Sequence, residues 1–148
     1  MATPVIPRIN ILIVEDNLAH LRLTEYVLKR NKVNARFLVV RDGQEAIDYL
    51  HRKNIFSDPE ASPTPDLVLL DLNLPKRDGR EVLRIMKEDP ELKQIPVVIV
   101  STSDREEDVA YARQMGVSAY ISKSIGFDKF NIELADIVKY ARTSIDRA

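Results

Sequence analysis

Two hydrophobic periodicities alternate along the chain. Short aliphatic runs, apolar at nearly every position, lie at Ile9–Val14, Ala35–Val40, Leu67–Leu72, Val97–Ser101 and Ala119–Ser122. Runs of this length that are apolar on both faces read as strands covered by helices on both sides. The stretches between them carry helical spacing. Ala19, Leu23, Tyr26 and Val27 form one stripe, Ala46, Ile47 and Leu50 a second, and Val82, Ile85 and Met86 a third. Val109 and Ala112 form a weak fourth stripe before Gly116, a helix-stopping residue. Phe130, Leu134, Ile137, Val138 and Ala141 form the clearest one, in a last helix expected to end near Ile145. Five β-α repeats predict an α/β fold: a doubly wound five-stranded parallel sheet with five helices and right-handed crossovers. Only Asn54–Asp66, with Pro59, Pro63 and Pro65, breaks the rhythm. It reads as a loop longer than the usual αβ connection, either a tolerated surface insertion or a partner-binding segment.

Composition narrows the class. A chain of 148 residues suits one domain, with a core expected over about 9–145 and no room for an output domain. Its 22 Lys and Arg against 23 Asp and Glu leave a net charge of -1, so no basic field points to nucleic acid. The absence of cysteine excludes a disulfide scaffold, thiol chemistry and thiolate-held zinc. Two histidines, His20 and His51, argue against a multi-histidine metal site. The start Met1-Ala-Thr-Pro-Val-Ile-Pro-Arg8 has no signal-peptide pattern, and no apolar run approaches the ~20 residues of a membrane span. A cytoplasmic location is the expectation, with no membrane partner.

In open α/β sheets, ligands bind beyond the C-terminal ends of the strands. Here those ends carry Glu15-Asp16, Asp71, Ser101-Thr102 and Ser122-Lys123, while Arg41-Asp42-Gly43 reads as a turn entering a helix. Each residue has an ordinary reading by itself: helix cap, strand-end hydroxyl, surface lysine. Asp71 resists it, since a carboxylate interrupting Leu-Val-Leu-Leu-Asp-Leu needs a partner if it is buried. Grouped carboxylates repel unless a cation joins them, and all-oxygen ligation favours Mg²⁺. An aspartate facing Mg²⁺ and a lysine can act as a nucleophile toward phosphorus, with the cations stabilising the phosphoryl oxygens.

These residues resemble the receiver domain of response regulators in two-component signalling. The resemblance rests on Glu15-Asp16, Leu69-Leu-Asp-Leu-Asn-Leu-Pro75, Asp78-Gly79, Pro96-Val-Val-Ile-Val-Ser101 and Gly116-Val-Ser-Ala-Tyr-Ile-Ser-Lys123, in order over about Ile9–Ile145. It implies a flavodoxin-like strand order 2-1-3-4-5 and makes Asp71 the phosphoacceptor, charged by a histidine kinase or a histidine phosphotransfer protein. It implies that Glu15, Asp16, Asp71 and the backbone carbonyl of Asn73 hold Mg²⁺, Glu15 through water. Ser101 and Lys123 would meet phosphoryl oxygens, and Tyr120 would swing inward as Ser101 moves.

Four positions depart from the commonest pattern: Glu15 for Asp, Ser101 for Thr, Thr102 for Ala, and Ser124 for the Pro after Lys123. A cis peptide before Ser124 would cost about 3 kcal/mol. The Pro-rich loop and Asn73-Leu-Pro-Lys-Arg-Asp-Gly-Arg-Glu-Val-Leu83 are similar to stand-alone regulators that partner phytochrome-type kinases. A homodimer through the helix 4–strand 5–helix 5 face is a further expectation. The main alternative is a docking pseudo-receiver that takes no phosphoryl group. A phosphatase of the haloacid dehalogenase type would want an acid where Asn73 stands. A flavodoxin-like cofactor carrier would want a phosphate loop where Glu15-Asp16-Asn17 stands.

Overall fold

The computed structural model describes residues 8–147, with side chains through residue 141, so the segment 1–7 in which no signal peptide was read lies outside it. Strand β1 (Ile9–Val14) leads to α1 (Leu18–Arg30), then β2 (Ala35–Val40), α2 (Gly43–Leu50) and a 3₁₀ turn, Asn54–Phe56. β3 (Leu67–Leu70), α3 (Gly79–Glu88), β4 (Val97–Ser101) and α4 (Glu106–Gln114) follow. β5 (Ala119–Ser122), a second 3₁₀ turn (Lys123–Ile125) and α5 (Phe127–Arg147) complete the order. The strands form one parallel sheet in the order β2-β1-β3-β4-β5. Among the described residues no helix is long and apolar enough to cross a membrane.

Alternation along each strand feeds two core layers. Leu12, Val14, Val68, Leu70, Val97 and Ile99 face one side, where they meet Ile47, Leu83, Met86 and Ala112 of α2, α3 and α4. Ile11, Ile13, Leu67, Leu69, Val98 and Val100 face the other, against Leu28 of α1 and Phe130, Leu134 and Val138 of α5. Each such aliphatic side chain contributes roughly 1.5–3 kcal/mol on burial, so the sheet needs both helical covers.

Two readings need correction. β3 ends at Leu70, which leaves Asp71 and Leu72 as the first residues of the connection. On α1 the buried line is Leu21, Thr24, Val27 and Leu28, whereas Ala19 and Tyr26 are exposed. Apolar residues occur on more than one side of this helix, so spacing alone does not select the covered face. Tyr26 instead meets Phe127 of α5 at the surface, with ring centroids 6.3 Å apart.

The Asn54–Asp66 connection is anchored at several points. Tyr49 donates its hydroxyl to Pro63 O at 2.8 Å, Arg36 reaches Glu60 O at 2.9 Å, and Asp66 accepts from Asn10 N–H at 2.7 Å. Because it joins the end of α2 to the start of β3, it lies at the N-terminal edge of the sheet, away from the clustered acids.

The β3–α3 connection is shaped by two close approaches. A Cβ on Gly43 would overlap the backbone oxygen of Arg77, and one on Gly79 would overlap that of Asp71 and lie 2.6 Å from Leu72 Cα. Hydrogen bonds from Gly43 N–H to Pro75 O (3.3 Å) and from Gly79 N–H to Leu72 O (2.9 Å) close the same gaps. Gly79→Ala should therefore destabilise the fold by about 1–3 kcal/mol through overpacking against Asp71–Leu72. Urea denaturation checks this, and a wild-type midpoint would show that the segment yields freely.

Candidate functional site

Register brings the candidate residues together. Val14 pairs with Leu70, so Glu15 and Asp71 leave adjacent strands side by side, and Asp71 N–H donates to Val14 O at 3.2 Å. Ser101 pairs with Ser122, which places Lys123 at the end of the neighbouring strand. Glu15, Asp71 and Ser101 are buried, while Asp16 is exposed at the rim.

Lys123 occupies the centre. Its ammonium donates to Glu15 Oε1 and to Asp71 Oδ2, the latter at 3.2 Å, with only 4% of the side chain exposed. The other oxygen of Asp71 accepts from Asn73 N–H at 3.0 Å, so both carboxylate oxygens are held. Glu15 Oε2 accepts from Asn17 N–H at 3.2 Å. Asn17 caps α1 by accepting from His20 N–H at 3.0 Å, so the acidic pair and the first turn of α1 are tied together. The Lys123–Ser124 peptide is trans, since no cis bond occurs among the described residues.

One ammonium is shared by two carboxylates, and a third, that of Asp16, lies close to them. Glu15, Asp16 and Asp71 each offer an oxygen, and the three oxygens lie within 4.8 Å of one another. Burial pushes the Glu15 carboxyl up to about 7, against the lowering pull of Lys123 and with help from the charge on Asp71. The group thus lacks positive charge, has oxygen donors only, and opens to solvent at Asp16. A hard divalent cation that keeps some of its water fits this donor set.

The switch candidates lie one strand over. Ser101 Oγ accepts from Ser103 N–H at 3.2 Å, and the half-buried Tyr120 donates its hydroxyl to Ser103 O at 2.7 Å. Ser124 Oγ donates to Thr102 O at 3.1 Å, joining the β4–α4 loop to the residue after Lys123.

Two features have no sequence motif. The ring of His20 reaches the site, with Nδ1 3.2 Å from Lys123 Nζ. The Ser103 hydroxyl also donates to the buried Asp108, which accepts from Arg80 Nε and Nη2 at 2.9 and 2.7 Å. Burial would raise the Asp108 carboxyl, but Ser103 and Arg80 outweigh it and hold it below the ordinary carboxylate range. This chain links the β4–α4 loop to the start of α3.

The response regulator receiver domain pattern matches residues 11–135. The response regulator Rcp1 of Synechocystis is 46% identical over 114 residues, covering 77% of this chain and 76% of Rcp1. Among solved structures, the phosphorylated cyanobacterial phytochrome response regulator RcpA superposes with a TM-score of 0.84 at 40% identity, covering 93% of this chain and 96% of RcpA. The Mn²⁺-bound form of Rcp1 superposes with a TM-score of 0.80 at 40% identity, covering 89% of this chain and 93% of that one.

The Glu15 environment gives a pH signature when divalent cations are chelated. A carboxyl raised from 4.5 to about 7 on folding gives its full stabilisation below 4.5 and loses it as pH climbs through 7. Wild-type stability relative to Glu15→Gln should therefore fall across that window. Denaturation at a series of pH values checks it, and a constant difference would mean that Lys123 neutralises Glu15 fully.

Proposed function

Because the chain belongs to the response regulator receiver family, we propose that Asp71 accepts a phosphoryl group in a Mg²⁺-dependent reaction and that the chain then signals by changing shape. The observation that carries this reading is the buried Lys123 ammonium shared by Glu15 and Asp71, beside the open carboxylate of Asp16.

The donor is the phosphohistidine of a histidine kinase or a histidine phosphotransfer protein. An Asp71 carboxylate oxygen attacks phosphorus, the P–N bond breaks, and the imidazole leaves with the electron pair. Glu15, Asp16, Asp71 and the Asn73 carbonyl would hold the Mg²⁺, which would draw charge from the phosphoryl oxygens when bound. The bond from Asn73 N–H keeps the Asp71 carboxylate oriented for attack, and Lys123 offers an N–H to an incoming oxygen. Ser101 then turns its hydroxyl toward the phosphoryl group and releases Ser103 N–H. Since Ser103 also holds Tyr120 and Asp108, the β4–α4 loop and the Tyr120 side chain follow.

Similarity to RcpA, a cyanobacterial phytochrome response regulator, favours a phytochrome-type kinase as the donor, and the reading takes the reaction to be cytoplasmic. In this reading residues of about 9–145 act together as one receiver domain. Its signal leaves through the face of α4, β5 and α5, where a groove of about 360 Å³ runs between Tyr120, Ile121 and Ile137. Exposed Ile132 and Tyr140 extend this surface along α5 and support a second copy of the chain as its partner. Sedimentation should show a dimer after phosphorylation, and a monomer in both states would remove that part of the reading.

Incubation with acetyl phosphate and Mg²⁺ should add one phosphoryl group to the intact mass. Asp71→Asn or chelation should abolish the addition. No addition to the wild type by acetyl phosphate or by a phosphorylated kinase would reduce the chain to a docking module.

A further inference from the structure

The Lys123 ammonium has three N–H bonds and no lone pair, so it can only donate. Three acceptors surround it: Glu15 Oε1, Asp71 Oδ2 and His20 Nδ1. The ring nitrogen that faces it must therefore be the unprotonated one, with the proton on Nε2. Burial and the neighbouring ammonium both lower the His20 pKa, against weaker opposing pulls from Asp71 and Asp16, in keeping with a neutral ring.

His20 is itself held in place. Its backbone N–H is bound by the Asn17 cap, and Asn17 N–H is bound to Glu15, so the turn that carries the ring is tied to the end of β1. Among the three acceptors it is the only one that is not a carboxyl group. That distinction matters for a site that must admit an anion. A third carboxylate on the ammonium would repel an incoming phosphoryl group, whereas an imidazole fixes the direction of the N–H bonds without adding negative charge.

We propose that His20 is a positioning residue for phosphoryl transfer, orienting the Lys123 ammonium so that one N–H points to where a phosphoryl oxygen arrives beside Asp71. This inference rests on the phosphoacceptor reading above. It assigns to α1 a part in the reaction beyond carrying the cap.

The test compares wild type, His20→Leu and His20→Asn for phosphoryl uptake from acetyl phosphate across a range of Mg²⁺, alongside thermal denaturation. Losing a hydrogen bond to a charged group should slow uptake at saturating Mg²⁺ about tenfold in His20→Leu. The Mg²⁺ dependence should stay unchanged. In His20→Asn, Oδ1 takes the place of Nδ1 and should restore most of the rate. A wild-type rate in His20→Leu, or equal losses in both variants, would overturn the proposal while leaving the Asp71 reading intact. A wild type that takes no phosphoryl group overturns both. If His20→Leu does not fold, nitrogen NMR of the wild type decides. Coupling between the Lys123 ammonium and His20 Nδ1 supports the role, and an ammonium in free exchange with water overturns it.

Discussion

A lysine ammonium with 4% of its side chain exposed is the constraint on which the C-terminal edge of the sheet depends. An ion removed from water to that degree persists only with close partners on several sides. Those partners come from the end of β1, the end of β3 and the first turn of α1, while the lysine follows β5. No two of the three strand ends are near in sequence, and only a parallel sheet with β1 and β3 adjacent brings them to one edge. The hydrophobic layers on both faces fix that order, and the ion cluster is where the order becomes chemistry. The reverse dependence also holds: with Lys123 truncated, two buried carboxylates would face each other across the β1–β3 pair.

Around this centre the polar contacts fall into two groups. One is rigid: Asn73 N–H on Asp71, Asn17 on Glu15, and the cap that holds His20. The second runs through the β4–α4 loop, where Ser103 joins Ser101, Tyr120 and Asp108, and Asp108 joins Arg80 of α3. Those bonds are few, and Ser103 is common to all but the last. In the proposed switch, a displacement of Ser101 would reach Tyr120 and Asp108 of α4 by way of Ser103.

The strand positions were legible because a two-sided core demands short, fully apolar runs. The site was legible because polar residues at the ends of such runs have few structural excuses, Asp71 least of all. His20 was not, since its place beside Lys123 depends on a contact across 103 positions and it sits in a helix as any polar residue does. The same holds for Arg80 and Asp108, an ordinary charge pair until α3 and α4 are docked. The α1 stripe misled because a helix with leucines on several sides encodes no unique inner face. Gly43 looked like a turn residue and Gly79 only like part of a motif, whereas the packing shows that their missing Cβ atoms admit the backbone of the β3–α3 connection.

The placement of the ammonium on the last strand bears on how the chain is made. As synthesis proceeds from the N-terminus, Glu15, Asp16 and Asp71 emerge well before Lys123. Until the fifth strand has docked, the carboxylates have no internal counter-ion and repel one another. A nascent chain, or one clipped before Lys123, holds Glu15 and Asp71 without the ammonium that they share. Neutralising the acids at the sheet edge thus waits on the docking of the last strand.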